Sequence, residues 1–236
     1  MGISWSASVG EPVGRFSRDC FPKTAACESL QRLAVVARYE ADEPVYRYND
    51  PVQCWFRVVA GAARKAALSG DGRRHIVDFL LPGDFFGFCP SSGHHFCVEA
   101  TIAGTLVARY PRRSAEQLAD SDPNVARHIR QAAFESIARL QRRTLILAGS
   151  SALEKVSAFL LEMADRTGVE ETRSICLPMS RSDIADYLAM AVETVSRTLT
   201  ELRARRTITY RAARRVQICD RDVLERARTG WAGWAS

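Results

Sequence analysis

The segment from residue 179 to residue 202, MSRSDIADYLAMAVETVSRTLTEL, most constrains how this chain can fold. Its pattern predicts two short helices joined by a tight turn, and the second helix has two different faces. The apolar face consists of Val192, Val195, Leu199 and Leu202. The polar face consists of Glu193, Ser196, Arg197 and Thr200. Because such polar side chains can accept from cytosine N4 or donate in bidentate fashion to guanine, the second helix suits the major groove of DNA.

The preceding helix carries its own start signal. Ser180 stands where an N-cap is expected, and Asp183 follows three residues later, which is the spacing of a capping box. Arg181 lies in the first turn, from which it can reach a backbone phosphate. The buried face is predicted to consist of Ile184, Tyr187 and Leu188. An ordinary surface hairpin of two helices would show a similar pattern, so charge must distinguish the two interpretations.

The positive charge of the chain is concentrated near its C-terminus. Residues 173–228 contain twelve arginines, no lysine and seven acidic residues, a net charge of +5 out of +6 for the whole chain. This concentration favours binding to a phosphate backbone. The exclusive use of arginine favours bidentate contacts to phosphate and guanine. A membrane surface is the alternative partner, but no long apolar and basic helix is present to lie in its interface.

Composition indicates a folded protein in a reducing compartment. The 236 residues are 47% hydrophobic and 25% charged, so the chain should fold without metal or disulfides. No apolar run approaches the roughly 20 residues that span a bilayer, and the first residues do not resemble a secretory signal. Seven irregularly spaced cysteines indicate reduced thiols. We therefore expect a cytoplasmic protein with no membrane partner.

The N-terminal half predicts a β-domain. Residues 1–28 are small, polar and interrupted by Pro and Gly, which predicts a flexible segment, and a short helix is expected at about 30–37. From 39 to 110, short apolar and β-branched runs alternate with turn signals about ten residues apart. This pattern predicts antiparallel strands folded into a roll or barrel. We assign residues 29–121 to this domain.

A long helix is predicted over residues 122–149, with Asp122 as cap and Pro123 at its first position. Apolar and small residues recur along it at steps of three and four, like a coiled-coil seam. These residues are Val125, Ile129, Ala133, Ile137, Leu140, Thr144 and Leu147. We interpret this helix as the dimerisation element. A helix packed on its own domain is the alternative.

Residues 150–236 predict a winged helix-turn-helix domain. A helix over 151–166 precedes the helix-turn-helix, and a β-hairpin with arginines at its tip follows it: Arg211, Arg214 and Arg215. Such a wing contacts backbone phosphates rather than bases. Asp220 can cap a last helix over 221–228. The predicted fold class is therefore α+β, with an N-terminal antiparallel β-roll, a long dimerisation helix and a C-terminal winged helix-turn-helix.

Taken together, these parts resemble the Crp/Fnr family of bacterial transcription regulators, and in particular its FixK-like branch. The resemblance covers roughly residues 30–228. The segment from Met179 to Leu202 fits the family's helix-turn-helix pattern at every restricted position. The sequence LPGDFFG at 81–87 matches the family's roll, which is like a cyclic-nucleotide-binding domain, and ALEKVSAFLL at 152–161 matches the helix that leads into the DNA-binding domain.

The resemblance implies a homodimer that reads DNA and acts with RNA polymerase. The family's recognition helix uses a Glu and an Arg four residues later, which are Glu193 and Arg197 here. Residues 192–197, VETVSR, resemble the branch that reads a TTGA-N6-TCAA palindrome, whose half-sites about 34 Å apart match a two-fold dimer. FixK-like regulators activate genes of microaerobic respiration and nitrogen fixation. The expected DNA-binding residues are Glu193, Ser196, Arg197, Thr194, Val192, Ser180, Arg181 and Thr200.

The effectors of the family fit these residues poorly. A cyclic phosphate needs a cation, yet there is no Lys or Arg between His75 and Ala108. An iron–sulfur cluster needs four thiolates, whereas the N-terminus has only Cys20 and Cys27, and Ala108 stands where the fourth ligand is expected. We therefore expect no cofactor. A haem- or iron–sulfur-dependent gas or redox sensor of the same fold is the alternative, with His94 and His95 beside Cys89 or Cys97 as conceivable ligands.

Two further expectations concern reactivity. The chain has no nucleophile elbow, phosphate loop or zinc-spaced cluster, so we do not expect an enzyme. Cys176 lies four residues before Ser180, where its oxidation would disturb docking on DNA. A packed, unreactive thiol is the alternative for Cys176.

Overall fold

The computed structural model describes residues 25–70, 72–167, 174–212 and 214–228. The chain divides into two compact units. Unit 1 consists of Met1–Ala67 and Phe79–Ile137, and unit 2 consists of Leu68–Asp78 and Ala138–Ser236. Most of the predicted flexible segment 1–28 lies outside the described residues, as does the connection over 168–173. The short segment Leu68–Asp78 belongs to unit 2, whereas the sequence analysis assigns it to the roll.

After helix α1 (Ala25–Leu33), the chain forms the predicted antiparallel roll. Its strands are β1 (Val35–Tyr39), β2 (Pro44–Tyr46), β3 (Cys54–Ala60), β4 (Ala63–Leu68), β5 (Arg74–Leu80), β6 (Phe85–Phe86), β7 (Cys97–Ala100) and β8 (Thr105–Pro111). One four-stranded sheet has the order β1-β8-β3-β6, and the other has the order β2-β7-β4-β5. The prediction of a β-roll is confirmed.

Alternating apolar side chains fill the roll. Val107 of β8 lies opposite Ala37 of β1 and Val58 of β3, and all three are at most 1% exposed. This alternation is what a strand with one buried face requires. At the β3–β4 turn, Gly61 has a φ of +81°, and a Cβ there would lie 2.5 Å from Thr105 Oγ1. Only glycine therefore fits this turn.

Two helices follow the roll: α2 (Arg112–Ser121) and α3 (Pro123–Ala148). The predicted cap of α3 is present, since Asp122 Oδ1 accepts a hydrogen bond from the backbone N–H of Asn124 at 2.9 Å. The first turns of α3 pack within unit 1. Val125 is fully buried in a cluster with Tyr110 and Ala115, and Ile129 packs against the same cluster.

The described part of unit 2 contains four further helices and a small sheet. These elements are α4 (Ala152–Thr167), β9 (Ser174–Cys176), α5 (Arg181–Leu188), α6 (Val192–Ala204), β10 (Ile208–Ala212), β11 (Arg215–Ile218) and α7 (Arg221–Arg228). The sheet has the order β10-β11-β9. The predicted cap of α7 is present, since Asp220 Oδ1 accepts from the backbone N–H of Val223 at 3.0 Å. Helix α4 is capped by Ser151, whose Oγ accepts from the backbone N–H of Glu154 at 3.1 Å. The predicted winged helix-turn-helix is confirmed.

The helix predicted at about 30–37 is wrong in its second half. Helix α1 ends at Leu33, and Val35–Tyr39 forms strand β1. The β-branched pair Val35-Val36 and the buried Tyr39 suit a strand that pairs with β8 along its whole length.

Among the described residues, none of the helices has the length and apolar character needed to span a bilayer.

Candidate nucleic-acid interface

Helix α5 begins at a complete capping box, as the sequence predicts. Ser180 Oγ accepts a hydrogen bond from the backbone N–H of Asp183 at 3.0 Å. Asp183 Oδ2 in turn accepts from the backbone N–H of Ser180 at 3.0 Å and from its hydroxyl at 2.8 Å. The predicted apolar face is buried, with Ile184, Tyr187 and Leu188 at most 2% exposed. The box fixes the first residue of the helix and therefore the position of Arg181.

A tight turn joins α5 to α6. Ala189 adopts a left-handed conformation with φ of 52°, and the backbone N–H of Met190 donates to Ala185 O at 3.0 Å. Ala191 is the N-cap of α6 and supplies no side-chain cap. The carboxylate of Glu193 lies in the first turn of α6, where the helix dipole favours negative charge.

Helix α6 presents the two faces that the sequence predicts, with one correction. Val195, Leu199 and Leu202 are 0%, 2% and 1% exposed. Val192, however, is 37% exposed and does not belong to the buried stripe. Val192 is the first residue of α6 and lies beyond the packed turns. It therefore belongs to the outward surface, in line with its place among the expected DNA-binding residues.

The outward surface of α6 carries the predicted base-reading side chains. Glu193, Ser196, Arg197 and Thr200 are exposed, and Thr194 is half-buried. Within the described part of the chain, the side chains of Glu193 and Arg197 have no hydrogen bond or ion pair. The hydroxyl of Thr200 donates to Ser196 O at 2.8 Å, so its lone pairs remain available to accept. These groups are thus free to contact base edges.

The wing adds positive charge beside this surface. Strands β10 and β11 pair antiparallel, and Arg211, Arg214 and Arg215 are exposed. Arg211 Nε donates to Gln217 Oε1 at 2.6 Å, which holds that guanidinium along the strand. Arg181 of α5 contacts the wing directly, because its Nη2 donates to the Tyr210 hydroxyl at 2.7 Å. Cys176 of β9 is exposed and lies opposite Arg215 in the sheet.

One support of the interface was not predicted. Arg74, in the segment Leu68–Asp78 of unit 2, binds the first helix of the helix-turn-helix. Its Nη2 lies 2.8 Å from both Asp183 Oδ1 and Asp186 Oδ2, and its Nε lies 3.0 Å from Asp186 Oδ2. More than 100 residues separate these partners along the chain, and no local sequence signal links them. The charge of Asp183, which closes the capping box, is therefore partly neutralised.

A buried cluster of charged side chains lies near Tyr187 of α5. Asp78 and Arg139 are each 4% exposed, and Arg139 Nε donates to Asp78 Oδ2 at 3.0 Å. Arg166 Nη1 lies 4.0 Å from the other carboxylate oxygen. Nearby, the Tyr187 hydroxyl donates to Glu162 Oε2 at 3.1 Å. Burial raises the pKa of Glu162, and burial together with the charge of Glu162 raises the pKa of Tyr187.

The predicted dimer residues of α3 fall into two groups. Val125 and Ile129 pack inside unit 1, so their assignment to an interface is corrected. Further along the helix, Ile137 is 50% exposed and Leu140 36%, Thr144 is exposed, and Ala133 and Leu147 are half-buried. Phe134, which the sequence reading missed, is 59% exposed. The signal that identifies Phe134 is its spacing: it lies three residues before Ile137 and six before Leu140, and all three apolar side chains are exposed.

The residues considered for an effector do not converge. His94 is buried and stacks on Tyr46 with ring centroids 3.8 Å apart, whereas the exposed His95 contacts Ser91 Oγ at 2.8 Å. Cys89 and Cys97 donate to backbone carbonyls. Burial raises the pKa of the Cys97 thiol. Cys20 lies outside the described residues, as does the side chain of Cys27, and in the described portion no three His, Cys, Asp or Glu residues form a metal-binding group.

A winged helix-turn-helix with an exposed, hydrogen-bonding recognition face, carried on a chain with a β-roll, defines a DNA-binding transcription regulator. The family model for the Crp-like helix-turn-helix domain matches residues 154–227, and that for the cyclic nucleotide-binding domain matches residues 36–122. The chain belongs to the Crp/Fnr family, in its FixK-like branch.

Known relatives agree along most of the chain. The nitrogen fixation regulation protein FixK of Rhizobium meliloti is 37% identical over 190 residues, which are 80% of this chain and 85% of that protein. The transcriptional activatory protein AadR of Rhodopseudomonas palustris is 35% identical, over 77% of this chain and 76% of its own. The solved structure of FixK2 from Bradyrhizobium japonicum has a TM-score of 0.77 at 36% identity, and covers 84% of this chain and 99% of that chain.

Proposed function

We propose that this regulator binds a TTGA-N6-TCAA palindrome through helix α6, with Glu193 and Arg197 as the main base-reading residues. The observation that carries the proposal is the division of α6 into a buried face and an exposed polar face, on which the charged side chains of Glu193 and Arg197 have no partner in the described part of the protein. Glu can accept from cytosine N4, and Arg can donate to guanine O6 and N7. Ser196, Thr200, Thr194 and Val192 complete this surface, and Ser180 and Arg181 lie at the start of α5, where phosphate contacts are expected.

A palindrome requires two copies of α6, and we propose that α3 pairs with α3 of a second copy. The exposed side chains of Phe134, Ile137 and Leu140 support this arrangement, because an apolar stripe of this kind is stable in water only when it is covered. Thr144 and Leu147 extend the same surface. The seam therefore begins near Ala133 rather than at Val125.

We further propose that the dimer binds DNA without an effector. The interior of the roll is filled by aromatic side chains: Phe56 lies 5.2 Å from Tyr46 and 5.3 Å from Phe86 between ring centroids. Arg64, the buried arginine of β4, is held by Glu99 at 2.7 Å and Asp42 at 2.7 Å. Its charge is thus already balanced within the protein, which supports regulation by abundance rather than by a bound nucleotide.

The biological role we propose is activation, with RNA polymerase, of genes for microaerobic respiration or nitrogen fixation. The relatives support it, since FixK of Rhizobium meliloti is named a nitrogen fixation regulation protein and AadR of Rhodopseudomonas palustris a transcriptional activatory protein. A reporter gene behind the palindrome, in cells with and without this protein, tests the direction of regulation.

The central experiment is a mobility shift on the palindromic duplex with purified protein and no added effector. Arg197→Ala should lose about 1–3 kcal/mol at its base pair and relax specificity there. Arg203→Ala is the matched control, because Arg203 is an exposed arginine in the last turn of the same helix. Equal affinity for the palindrome and a scrambled duplex would refute the proposal.

Cys176 is proposed as an oxidation-sensitive position. It is exposed on β9, opposite the wing residue Arg215, so a sulfenic acid or a larger adduct there would disturb phosphate contacts. Peroxide should weaken DNA binding by the wild type but not by Cys176→Ser. Cys219→Ser, which removes the other thiol that is exposed among the described cysteines, is the control and should stay sensitive.

A further inference from the structure

A contact between Arg181 and Tyr210 joins the start of α5 to the wing. Arg181 Nη2 donates to the Tyr210 hydroxyl at 2.7 Å, and the guanidinium carbon lies 5.2 Å from the centroid of the Tyr210 ring. The Tyr210 hydroxyl thus binds the guanidinium through a hydrogen bond, and the Tyr210 ring lies against it. An arginine held in this way loses little conformational freedom when it binds an anion, because its orientation is already fixed.

The guanidinium is not a freely hydrated surface group. Arg181 is half-buried, and its Nη1 is shielded from solvent with no hydrogen-bond partner among the residues that the structure describes. Tyr210 uses one of the five N–H donors, so others remain for an external acceptor. The Tyr210 hydroxyl accepts from Arg181 and therefore keeps its own proton for donation. The pair presents donors from both side chains at one place.

The surroundings of the pair favour an anion. Arg181 is the first residue of α5, where the helix dipole is positive. The nearest carboxylate along the helix, Asp183, is 4% exposed, closes the capping box and is bound by Arg74, so little of its negative charge opposes an approaching phosphate. Arg211 follows Tyr210 on β10 and is exposed.

We infer that Tyr210 is a positioning residue for DNA binding: it holds Arg181 against one backbone phosphate in each half-site and fixes the wing to the helix-turn-helix. This inference rests on the proposed function, since it presupposes a specific complex with duplex DNA. It adds a wing residue without charge to the interface and predicts that Arg181 and Tyr210 act as one unit.

The test is a double-mutant cycle on the palindromic duplex, with Arg181→Ala, Tyr210→Ala, Tyr210→Phe and the double alanine variant. Arg181→Ala should weaken binding by about tenfold or more, as expected for a lost hydrogen bond to a charged group. Because one phosphate per half-site loses its cation, the salt slope should fall by about 1.8 for a dimer. Tyr210→Ala should weaken binding about fivefold and Tyr210→Phe less, because the phenylalanine ring still stacks on the guanidinium.

Non-additivity decides the question. The double variant should bind within about twofold of Arg181→Ala, since the tyrosine acts through the arginine. Losses that multiply, or wild-type affinity of Tyr210→Ala, would overturn the inference. Tyr48→Ala and Arg38→Ala, which remove an exposed tyrosine and an exposed arginine of the roll, are the matched controls. All variants are compared well below their melting temperatures, and Tyr210→Phe keeps the test valid if the alanine variant folds poorly.

A second readout locates the phosphate. Duplexes that each carry one neutral methylphosphonate should show a position at which the wild type loses affinity but Arg181→Ala does not, and Tyr210→Ala should lose less than the wild type there. A purely structural role of Tyr210 would leave this position as sensitive as in the wild type and would refute the inference. If the wild type does not prefer the palindrome at all, the proposed function fails; if it does and the cycle is additive, only the role of Tyr210 fails.

Discussion

Replacing Asp78 by Asn should destabilise the protein strongly, although the two side chains have nearly the same volume. Asp78 and Arg139 are each 4% exposed, and their contact is 3.0 Å long. Removing the negative charge at Asp78 breaks a buried ion pair of the Arg139 guanidinium, and breaking such a pair costs about 3–5 kcal/mol. Because both side chains are buried, water does not screen their interaction, and this cost is not reduced. For a chain of this size, each kcal/mol lowers the melting temperature by about 2–4 °C, so a fall on the order of 10 °C is expected.

The assay is thermal unfolding followed by circular dichroism and, in parallel, by intrinsic fluorescence, since two probes reveal whether the two units unfold together. Asp165→Asn is the matched control. Asp165 also pairs with an arginine, Arg221 at 2.7 Å, but these side chains are 54% and 42% exposed. Exposed pairs contribute about 0–1 kcal/mol, so this control should unfold within about 4 °C of the wild type. An equally small shift for Asp78→Asn would show that Arg139 finds another countercharge or water, and would refute the reasoning.

Three further outcomes are expected. Ser180→Ala removes the cap of α5 and should cost about 1 kcal/mol in urea unfolding, whereas Ser182→Ala, at an exposed position in the same turn, should cost less than about 0.5 kcal/mol. Leu199→Ala should cost about 2–5 kcal/mol because it leaves a cavity, while Thr200→Ala on the exposed face of α6 should mainly change DNA binding. Burial lowers the pKa of His94 below its ordinary value of 6.5, so the stability that its neutral form gives is present above pH 6.5 and is lost as the pH falls through the lowered folded pKa. His94→Phe should weaken that acid dependence, and an unchanged pH profile would contradict this account.

The local features of the interface could be read from the sequence because their causes are local. The capping box of α5 needs two side chains three residues apart, and the two faces of α6 need only helical spacing. The same holds for the caps at Asp122 and Asp220, both of which accept the expected backbone hydrogen bond. Roll strands with alternating apolar residues are equally visible, since period-two burial is a property of the strand itself.

The features that sequence reading missed depend on distant partners. Helical spacing shows that Val125 is apolar but not which surface covers it, and the roll of the same chain does so. Val35 and Val36 fit a helix or a strand until β8 supplies hydrogen-bond partners. Arg74 and Asp78 look like ordinary surface charges of a hairpin, yet they bind helix α5 and the buried Arg139. Pairs of this kind follow from the topology of the fold, which residue spacing along the chain does not reveal.

The exposed pair on α6 shows that a weak local ion pair can stay unformed, which leaves both side chains available to DNA. Glu193 and Arg197 are four residues apart with the acid N-terminal to the base, the favourable order for an ion pair on a helix. Such a pair is worth only about 0.2–0.5 kcal/mol, and in the described structure it is not formed. A bidentate contact from arginine to the correct base is worth about 1–3 kcal/mol, so DNA competes easily for both side chains. If Glu193 and Arg197 were instead locked to each other, Glu193→Ala would raise affinity by freeing the arginine; we expect it to lower affinity and to relax discrimination at the base that Glu193 reads.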